Sequence, residues 1–182
     1  MRFFATIFAA IATIGFVSAA PATRSPTDVL DVLTELQGTS EPILTQINAL
    51  TAAGTANDDS VTPLTNQLGD ALSNATASLN ALQADDRRRG ISSRSSDEDV
   101  STVTASITRN ILTTMDGLQP YSDQVTNLDS INESMDGHTS TLLGAVGVLV
   151  NDLLCAVAQL LVDLAGVVRV LDFDLTGDAL GL

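Results

Sequence analysis

The 182-residue sequence contains no lysine and no tryptophan, and it has one cysteine, one histidine and one tyrosine. Its formal net charge is −14 at pH 7. Three of the few arginines are consecutive, at residues 87–89, so no broad basic face exists that could neutralise phosphates. Nucleic acid is therefore excluded as a partner, and an anionic membrane surface should repel the folded protein.

The shortage of histidine and cysteine argues against catalysis. His138 follows a glycine in a predicted turn, where we expect it to be solvated, and no G-x-S-x-G motif is present. One histidine and one cysteine are too few for a zinc site. The segment from Asp172 to Asp178 imitates the start of a calcium loop but lacks the twelfth-position glutamate. We predict a non-enzymatic protein with no catalytic residue, no metal and no cofactor.

The single cysteine, Cys155, cannot form an intrachain disulfide. Its neighbours are apolar on both sides, which favours a buried thiol that packs as a small hydrophobic side chain. A disulfide to a second molecule is the alternative.

The N-terminus has the pattern of a secretory leader. Arg2 is positively charged, residues 3–17 are an uncharged apolar run, and Val17-Ser18-Ala19 fits a small-residue cleavage site. An uncleaved signal anchor or a first core helix is the alternative, but the run is short for a membrane span. We predict that residues 1–19 are removed and that residues 20–182 form a single helical domain outside the cell or in its wall.

Two kinds of modification would follow from secretion. Asn74 and Asn132 each begin an Asn-X-Ser/Thr sequon, a glycosylation signal in a eukaryotic secretory pathway. Arg87, Arg88 and Arg89 resemble a dibasic processing site, with Arg88 and Arg89 as the candidate residues, although an exposed charge run is usually only solvated.

Apolar residues recur at intervals of three and four along the chain, which predicts amphipathic helices. Ser25 and Pro26 form a start signal, and Pro42 predicts a kink in the first helix. Thr62 and Pro63 predict the start of the second helix, which should end near residue 84. The apolar positions are Val29, Leu33, Leu36, Ile43, Ile47 and Leu50, with Ser40 in the same register, and then Leu64, Leu68, Leu72, Ala75, Leu79 and Leu82.

A flexible loop is predicted at residues 85–99, which contain almost no apolar side chain. Ser96 and Asp99 form a capping box for a third helix, which should kink near Pro120 and close at residues 136–138. Its apolar positions are Val100, Val103, Ile107, Ile111, Leu118, Tyr121, Val125, Leu128 and Met135.

Residues 139–171 are apolar around nearly a whole helix circumference. Such a helix must be buried, inserted in lipid or offered to an apolar partner. Asp152 and Asp163 would each cost about 2.5 to 3.5 kcal/mol near a bilayer centre, which disfavours a membrane-spanning helix. Contact with a membrane surface is left open. The pattern predicts an all-α fold: an elongated up-down bundle of about four long, partly kinked helices with an apolar C-terminal helix.

A bundle helix needs an apolar face of roughly 3/7 of its positions, and this last helix has a surplus. The candidate apolar contact residues are Leu142, Leu143, Val146, Leu149, Leu153, Leu160, Leu164 and Val168.

The sequence resembles the small secreted hyphal-surface proteins of mushroom-forming fungi, which have a hydrophilic N-terminal half and a hydrophobic C-terminal half. The resemblance rests on Asp28-Val29-Leu30, residues 41–50, Val61-Thr62-Pro63-Leu64 and the terminal apolar helix. More loosely, the chain is similar to fungal hydrophobic-surface-binding and cell-wall mannoprotein domains, some of which bind lipids. The resemblance implies a protein of extracellular matrix and hyphal attachment, and it identifies no functional residues.

Three functions follow from this pattern. The leading hypothesis is an amphiphilic protein of the wall or matrix that mediates adhesion or hydrophobic-surface interaction, with apolar surfaces, cell-wall components or further copies of itself as partners. The alternative is an extracellular lipid- or fatty-acid-binding protein with a cavity among residues 142–171. A third hypothesis is a bundle whose apolar helix is fully wrapped and exposes no contact site.

Overall fold

A computed structural model describes residues 28–89, 97–150 and 153–181, with the side chains of residues 86–89 left out. The predicted leader, the start signal at Ser25 and Pro26, and the cap at Ser96 lie outside these ranges. The described residues contain helices and no strand, so the fold is all-α as predicted. The helices are α1 (Val29–Ala52), α2 (Asp58–Arg89), α3 (Asp97–Leu118), α4 (Leu128–Leu149), α5 (Leu153–Leu161), α6 (Ala165–Val170) and α7 (Asp174–Leu180).

The first helix runs through the interruption at Pro42 without ending. Proline has no N–H, so the Gly38 carbonyl loses its helical donor, but Gly38 is exposed and water can replace that donor. At the start of α1, the Asp28 carboxylate accepts a hydrogen bond from the Leu30 N–H at 3.4 Å. The two apolar segments predicted on either side of the interruption therefore share one helix face.

The second helix starts earlier and ends later than predicted. It begins at Asp58, because Asn57 and Ser60 cap it reciprocally. The Ser60 N–H donates to Asn57 Oδ1, and the Asn57 N–H donates to Ser60 Oγ, both at 3.1 Å. The helix continues to Arg89, so helical residues occupy both ends of the loop predicted at 85–99.

The boundary after the third helix was predicted in the wrong place. α3 ends at Leu118, where a 3₁₀ turn (Gln119–Tyr121) carries the chain towards α4. Pro120 lies in this turn, and the Tyr121 hydroxyl donates to the Thr51 carbonyl at the end of α1, which fixes the corner. Residues 136–138, which were predicted to close the helix, lie inside α4 instead.

The predicted continuous helix over residues 139–171 is also wrong. α4 ends at Leu149, and Val150 is extended, with φ −127° and ψ 117°. A second 3₁₀ turn (Val162–Leu164) separates α5 from α6. After α6, Asp172 adopts a positive φ of 54°, and the chain turns into α7, which lies where the sequence imitated a calcium loop. Phe173, beside this turn, is fully buried.

The main helices pack in a chain of contacts: α1 on α2 and α3, α2 on α4, α3 on α5, and α4 on α7. The predicted apolar stripes point into this interior, and all of their members are buried or half-buried. Ser40 is buried in its predicted register position. The four-helix up-down arrangement is too simple, because three further short helices cover the ends and sides of α3 and α4.

Candidate apolar contact surface

An apolar segment that is only partly buried comprises Leu153–Val170, here called the C-terminal layer. It includes α5, the second 3₁₀ turn and α6. Its mean hydropathy is 2.0, yet only 22% of its 18 residues are buried. By length and composition this segment could cross a membrane, a test that the helix of a soluble protein can also pass. Three large apolar side chains of the layer, Leu160, Val162 and Val170, are therefore left exposed.

Burial divides the side chains of the layer into an inner face and an outer face. The inner face is buried and consists of Leu153, Val157, Leu161 and Val168. The outer face contains three large apolar side chains, Leu160, Val162 and Val170, which are 45%, 67% and 64% exposed. Two further exposed side chains, Val148 at the end of α4 and Leu175 in α7, lie outside this layer.

The predicted contact residues belong mostly to the interior. Leu142, Leu143, Val146, Leu153 and Val168 are buried, and Leu149 and Leu164 are half-buried. Leu160 is exposed as predicted.

The physical reason lies in the position of α4. This helix packs on α2 on one side and on α7 on another, so Leu142, Leu143 and Val146 are covered by protein, whereas Val148 near its end is exposed. The exposed residues that sequence reasoning missed are Val148, Val162, Val170 and Leu175. Extending one helix through Val150 and the second 3₁₀ turn gave the wrong phase for α5 and α6.

An exposed ion pair ties the layer to α3. Arg109 Nη1 lies 2.7 Å from Asp163 Oδ2, and Nη2 donates to Asp163 Oδ1 at 3.1 Å. The same guanidinium donates to the Leu160 carbonyl near the end of α5. The hydrogen bond between the two side chains lowers the pKa of Asp163 and raises that of Arg109. The negative charge of Asp163 is thus paired, and Arg169 is the other charged residue of the layer.

Cys155 is exposed and forms no disulfide. The prediction of a buried thiol is wrong, because Cys155 lies on α5 between the inner-face residues Leu153 and Val157 and points away from them.

Three described grooves lie between helices, and each has a mixed lining of apolar and polar side chains. The groove between α3 and α5 has a volume of about 390 Å³ and is lined by Asp97, Glu98, Ser101, Thr102, Ala156, Gln159 and Leu160. A second, of about 270 Å³, lies between α1 and α2, and a third, of about 430 Å³, lies between α1 and α3. Carboxylates and hydroxyls at these positions suit an acyl chain poorly.

A buried carboxylate attaches α7 to α4. Asp136 Oδ2 accepts from the Leu175 N–H at 2.9 Å, and Oδ1 accepts from the Thr176 N–H at 2.8 Å. These N–H groups are in the first turn of α7, where a helix has no internal acceptors. Asp136 therefore caps α7 from a different helix, a role that its position in the sequence did not indicate.

His138 is not a solvated turn residue. It is half-buried on α4, and its ring packs against Gly69 of α2, where an added Cβ would lie 3.0 Å from Nε2. Its Nδ1 lies 3.2 Å from Ser73 Oγ. The contact joins α2 to α4. Among the residues that the structure describes, no group of three or more His, Cys, Asp and Glu side chains is placed to hold a metal ion.

The two sequons lie in contrasting environments. Asn74 is exposed in the middle of α2, whereas Asn132 is only 6% exposed on α4. The burial argues against a glycan on Asn132 in the folded protein. The side chains of Arg87, Arg88 and Arg89 lie outside the described part of the chain.

No protein-family model matches this chain. The chain is similar to a protein named fruiting body differentiation protein 16, from Flammulina velutipes, with 40% identity over 93 residues. The match covers 46% of this chain and 73% of that protein. The predicted relation to proteins of mushroom-forming fungi is confirmed to this extent, and the similarity gives no information on hydrophobic-surface-binding or mannoprotein domains.

Proposed function

We propose that this chain, which belongs to the family of fruiting body differentiation protein 16, is a secreted, amphiphilic and non-enzymatic protein that adheres to hydrophobic surfaces in the fungal cell wall or extracellular matrix. A developmental or cell-surface role is compatible with the name of that relative. The observation that supports adhesion is the outer face of the C-terminal layer, where Leu160, Val162 and Val170 are exposed.

The outer face could supply useful binding energy. Complete burial of an exposed leucine or valine side chain stabilises a contact by about 1.5 to 3 kcal/mol. These side chains are already partly covered, so each can contribute only a fraction of that amount. Three of them together would still contribute a few kcal/mol before the costs of association.

Charge favours an uncharged partner. The chain carries a formal net charge of −14, which repels anionic lipid and favours solubility. Within the C-terminal layer, by contrast, Asp163 is paired with Arg109. An apolar wall component, an air–water boundary or the same face of a second copy could meet the layer without desolvating an unpaired Asp163, provided that exposed Arg169 stays hydrated at the edge of the contact.

The lipid-carrier alternative receives less support. The grooves between α1, α2, α3 and α5 each include at least one carboxylate in a mixed lining, while Val162 and Val170 are exposed outside them. An outward apolar face suits adsorption better than enclosure of an acyl chain.

The test is a triple variant of the full chain, with Leu160→Gln, Val162→Gln and Val170→Gln. Retention on an alkyl-coated surface should fall by at least about tenfold, since roughly 1.4 kcal/mol corresponds to a factor of ten. A matched control places the same three glutamines at Ala49, Ala77 and Ala81, which are exposed on α1 and α2.

Circular dichroism should show unchanged helicity in both variants. Equal retention of the two variants and the wild type would overturn the proposal. Loss of helicity in the layer variant alone would show that the outer face belongs to the core, which also contradicts it.

A further inference from the structure

We infer that Asn74 carries an N-linked glycan whose first sugar lies in the groove between α1 and α2, while Asn132 is unmodified in the folded protein. This inference rests on the secretion that is part of the proposed function. It separates two sequons that the sequence alone treats as equivalent.

Asn74 can accept a glycan without any change to the fold. It is exposed at the centre of α2, and its carboxamide has no hydrogen-bond partner within the described residues. Its backbone carbonyl accepts a hydrogen bond from Ser78 Oγ at 3.0 Å. The hydroxyl of Thr76, the third sequon residue, donates to the Leu72 carbonyl at 2.9 Å once the helix has formed.

Asn132 cannot accept a glycan in this fold. The side chain is buried on α4, and its Oδ1 is enclosed without a hydrogen-bond partner in the described structure. A sugar on Nδ2 would have to displace the helices that cover α4. Chains modified there before folding would not reach this structure, so the exported folded protein should carry no glycan at this position.

The groove beside Asn74 has a suitable composition for a sugar. Its volume is about 270 Å³, and Asn74 is one of its lining residues. A pyranose ring has an apolar C–H surface and a rim of hydroxyls. The groove offers the complementary arrangement of apolar Val32, Leu36 and Ala71 with polar Glu35, Thr39 and Ser78. The carboxylate of Glu35 can accept hydrogen bonds from sugar hydroxyls.

The modification is a group transfer from a lipid-pyrophosphate-linked oligosaccharide. Asn74 Nδ2 attacks the anomeric carbon of the first sugar, and the new C–N bond replaces the C–O bond to pyrophosphate. One amide proton passes to a base of the transferase, and the lipid pyrophosphate leaves with the electron pair of the broken bond. No oxidation or reduction takes place.

The position of the glycan would reinforce the amphiphilic character of the protein. The groove is formed by α1 and α2, whereas the C-terminal layer packs on α3, with α4 and α7 as further neighbours. A sugar on the α1–α2 surface therefore leaves Leu160, Val162 and Val170 uncovered. We expect removal of the glycan to change adsorption to an alkyl surface by less than about twofold.

The experiment expresses the full chain in a glycosylating eukaryotic host and compares intact masses before and after peptide:N-glycosidase treatment. Asn74→Gln should abolish the mass shift, and Thr76→Ser, which preserves the sequon, should retain it. Ser134→Ala destroys the other sequon at an exposed position without touching buried Asn132, and it should leave the mass shift on deglycosylation unchanged.

A second readout tests the groove. In the glycosylated protein, Glu35→Ala should loosen the first sugar and increase the rate of enzymatic deglycosylation several-fold, whereas Glu41→Ala, at another exposed site on α1, should not. Equal rates in the two variants would overturn the placement of the sugar.

The outcomes separate this inference from the adhesion proposal. Secreted protein that lacks a glycan, or that loses its glycan in Ser134→Ala, overturns the inference and leaves adhesion intact. Glycosylated protein that does not adsorb to an alkyl surface overturns adhesion alone. Unmodified protein held in the cytosol contradicts both.

Discussion

Helix α3 and the C-terminal layer solve opposite problems of polarity. Helix α3 buries the hydroxyl groups of Thr104 and Thr108. Their burial leaves no unsatisfied donor, because backbone carbonyls of the same helix accept their hydrogen bonds. Thr104 donates to the Val100 carbonyl at 2.7 Å, and Thr108 donates to the Thr104 carbonyl at 3.0 Å. The layer exposes the apolar side chains of Val162 and Val170, and no group within their own helix can cover them. A buried polar group can be satisfied within one helix, but an exposed apolar face is covered only by something outside it.

The largest expected effect comes from the inner face of the layer. Leu161→Ala removes a fully buried side chain of α5 and leaves a cavity, so the free energy of unfolding should fall by about 2 to 5 kcal/mol. Leu160→Ala, at the adjacent exposed position, is the control and should change it by less than about 1 kcal/mol. Urea unfolding followed by circular dichroism measures both. Equal losses would show that the layer has no distinct outer face.

The apolar stripes of α1, α2 and α3 could be predicted because spacing alone determines which side chains share a helix face. The breaks at Val150 and in the second 3₁₀ turn were missed because no proline marks either position, and the polar residues there, Asn151, Asp152 and Asp163, were considered only as a cost of membrane insertion. Buried threonines such as Thr104 were invisible to a count of apolar residues. The outer face could not be predicted either, because the two breaks determine which side chains of α5 and α6 are exposed.

The capping carboxylate is a second contact that only the tertiary structure shows. Asp136 precedes Leu175 and Thr176 by about forty residues, and no local motif links them. Its capping role could therefore be recognised only once the structure showed that α7 packs on α4.

Removing this cap should be the next largest effect. Asp136→Ala leaves the N–H groups of Leu175 and Thr176 without their acceptor, and we expect a loss of about 2 to 3 kcal/mol in the free energy of unfolding. Hydrogen exchange of those two amides should accelerate more than exchange in α1. Glu133→Ala, at an exposed position one turn earlier on α4, is the control. Unchanged protection of both amides would mean that α7 is held by its apolar contacts alone.

A smaller effect is expected in α1, where a substitution on the solvent-exposed side should increase the stability of the protein. Gly38 is exposed inside a continuous helix, and a Cβ there would meet nothing within 4 Å. Gly38→Ala should stabilise the protein by about 0.5 to 1 kcal/mol. Gly54→Ala, where φ is +67°, should destabilise it instead. Thermal unfolding distinguishes the two directions, and a loss of stability in Gly38→Ala would contradict an unbroken α1.

The smallest effect should come from the ion pair that joins α3 to the layer. Both side chains are exposed, so solvent and salt screen the interaction. The hydrogen bond from Arg109 lowers the pKa of Asp163 in the folded protein. The stabilisation is therefore present above the carboxyl pKa of the unfolded chain, near 4, and is lost as the pH falls through the lower folded value. Arg109 stays protonated throughout this range, so only Asp163 titrates.

Asp163→Asn should consequently reduce stability slightly at pH 7, and the difference from the wild type should shrink towards pH 2 and in high salt. The control is Asp178→Asn, which removes the same charge from an exposed position in α7 and should change stability less at pH 7. Chemical unfolding at pH 7 and at pH 2 measures the change. A difference that persists at low pH would show that the Asp163 side chain acts through packing, and that the layer is held to α3 without help from its charge.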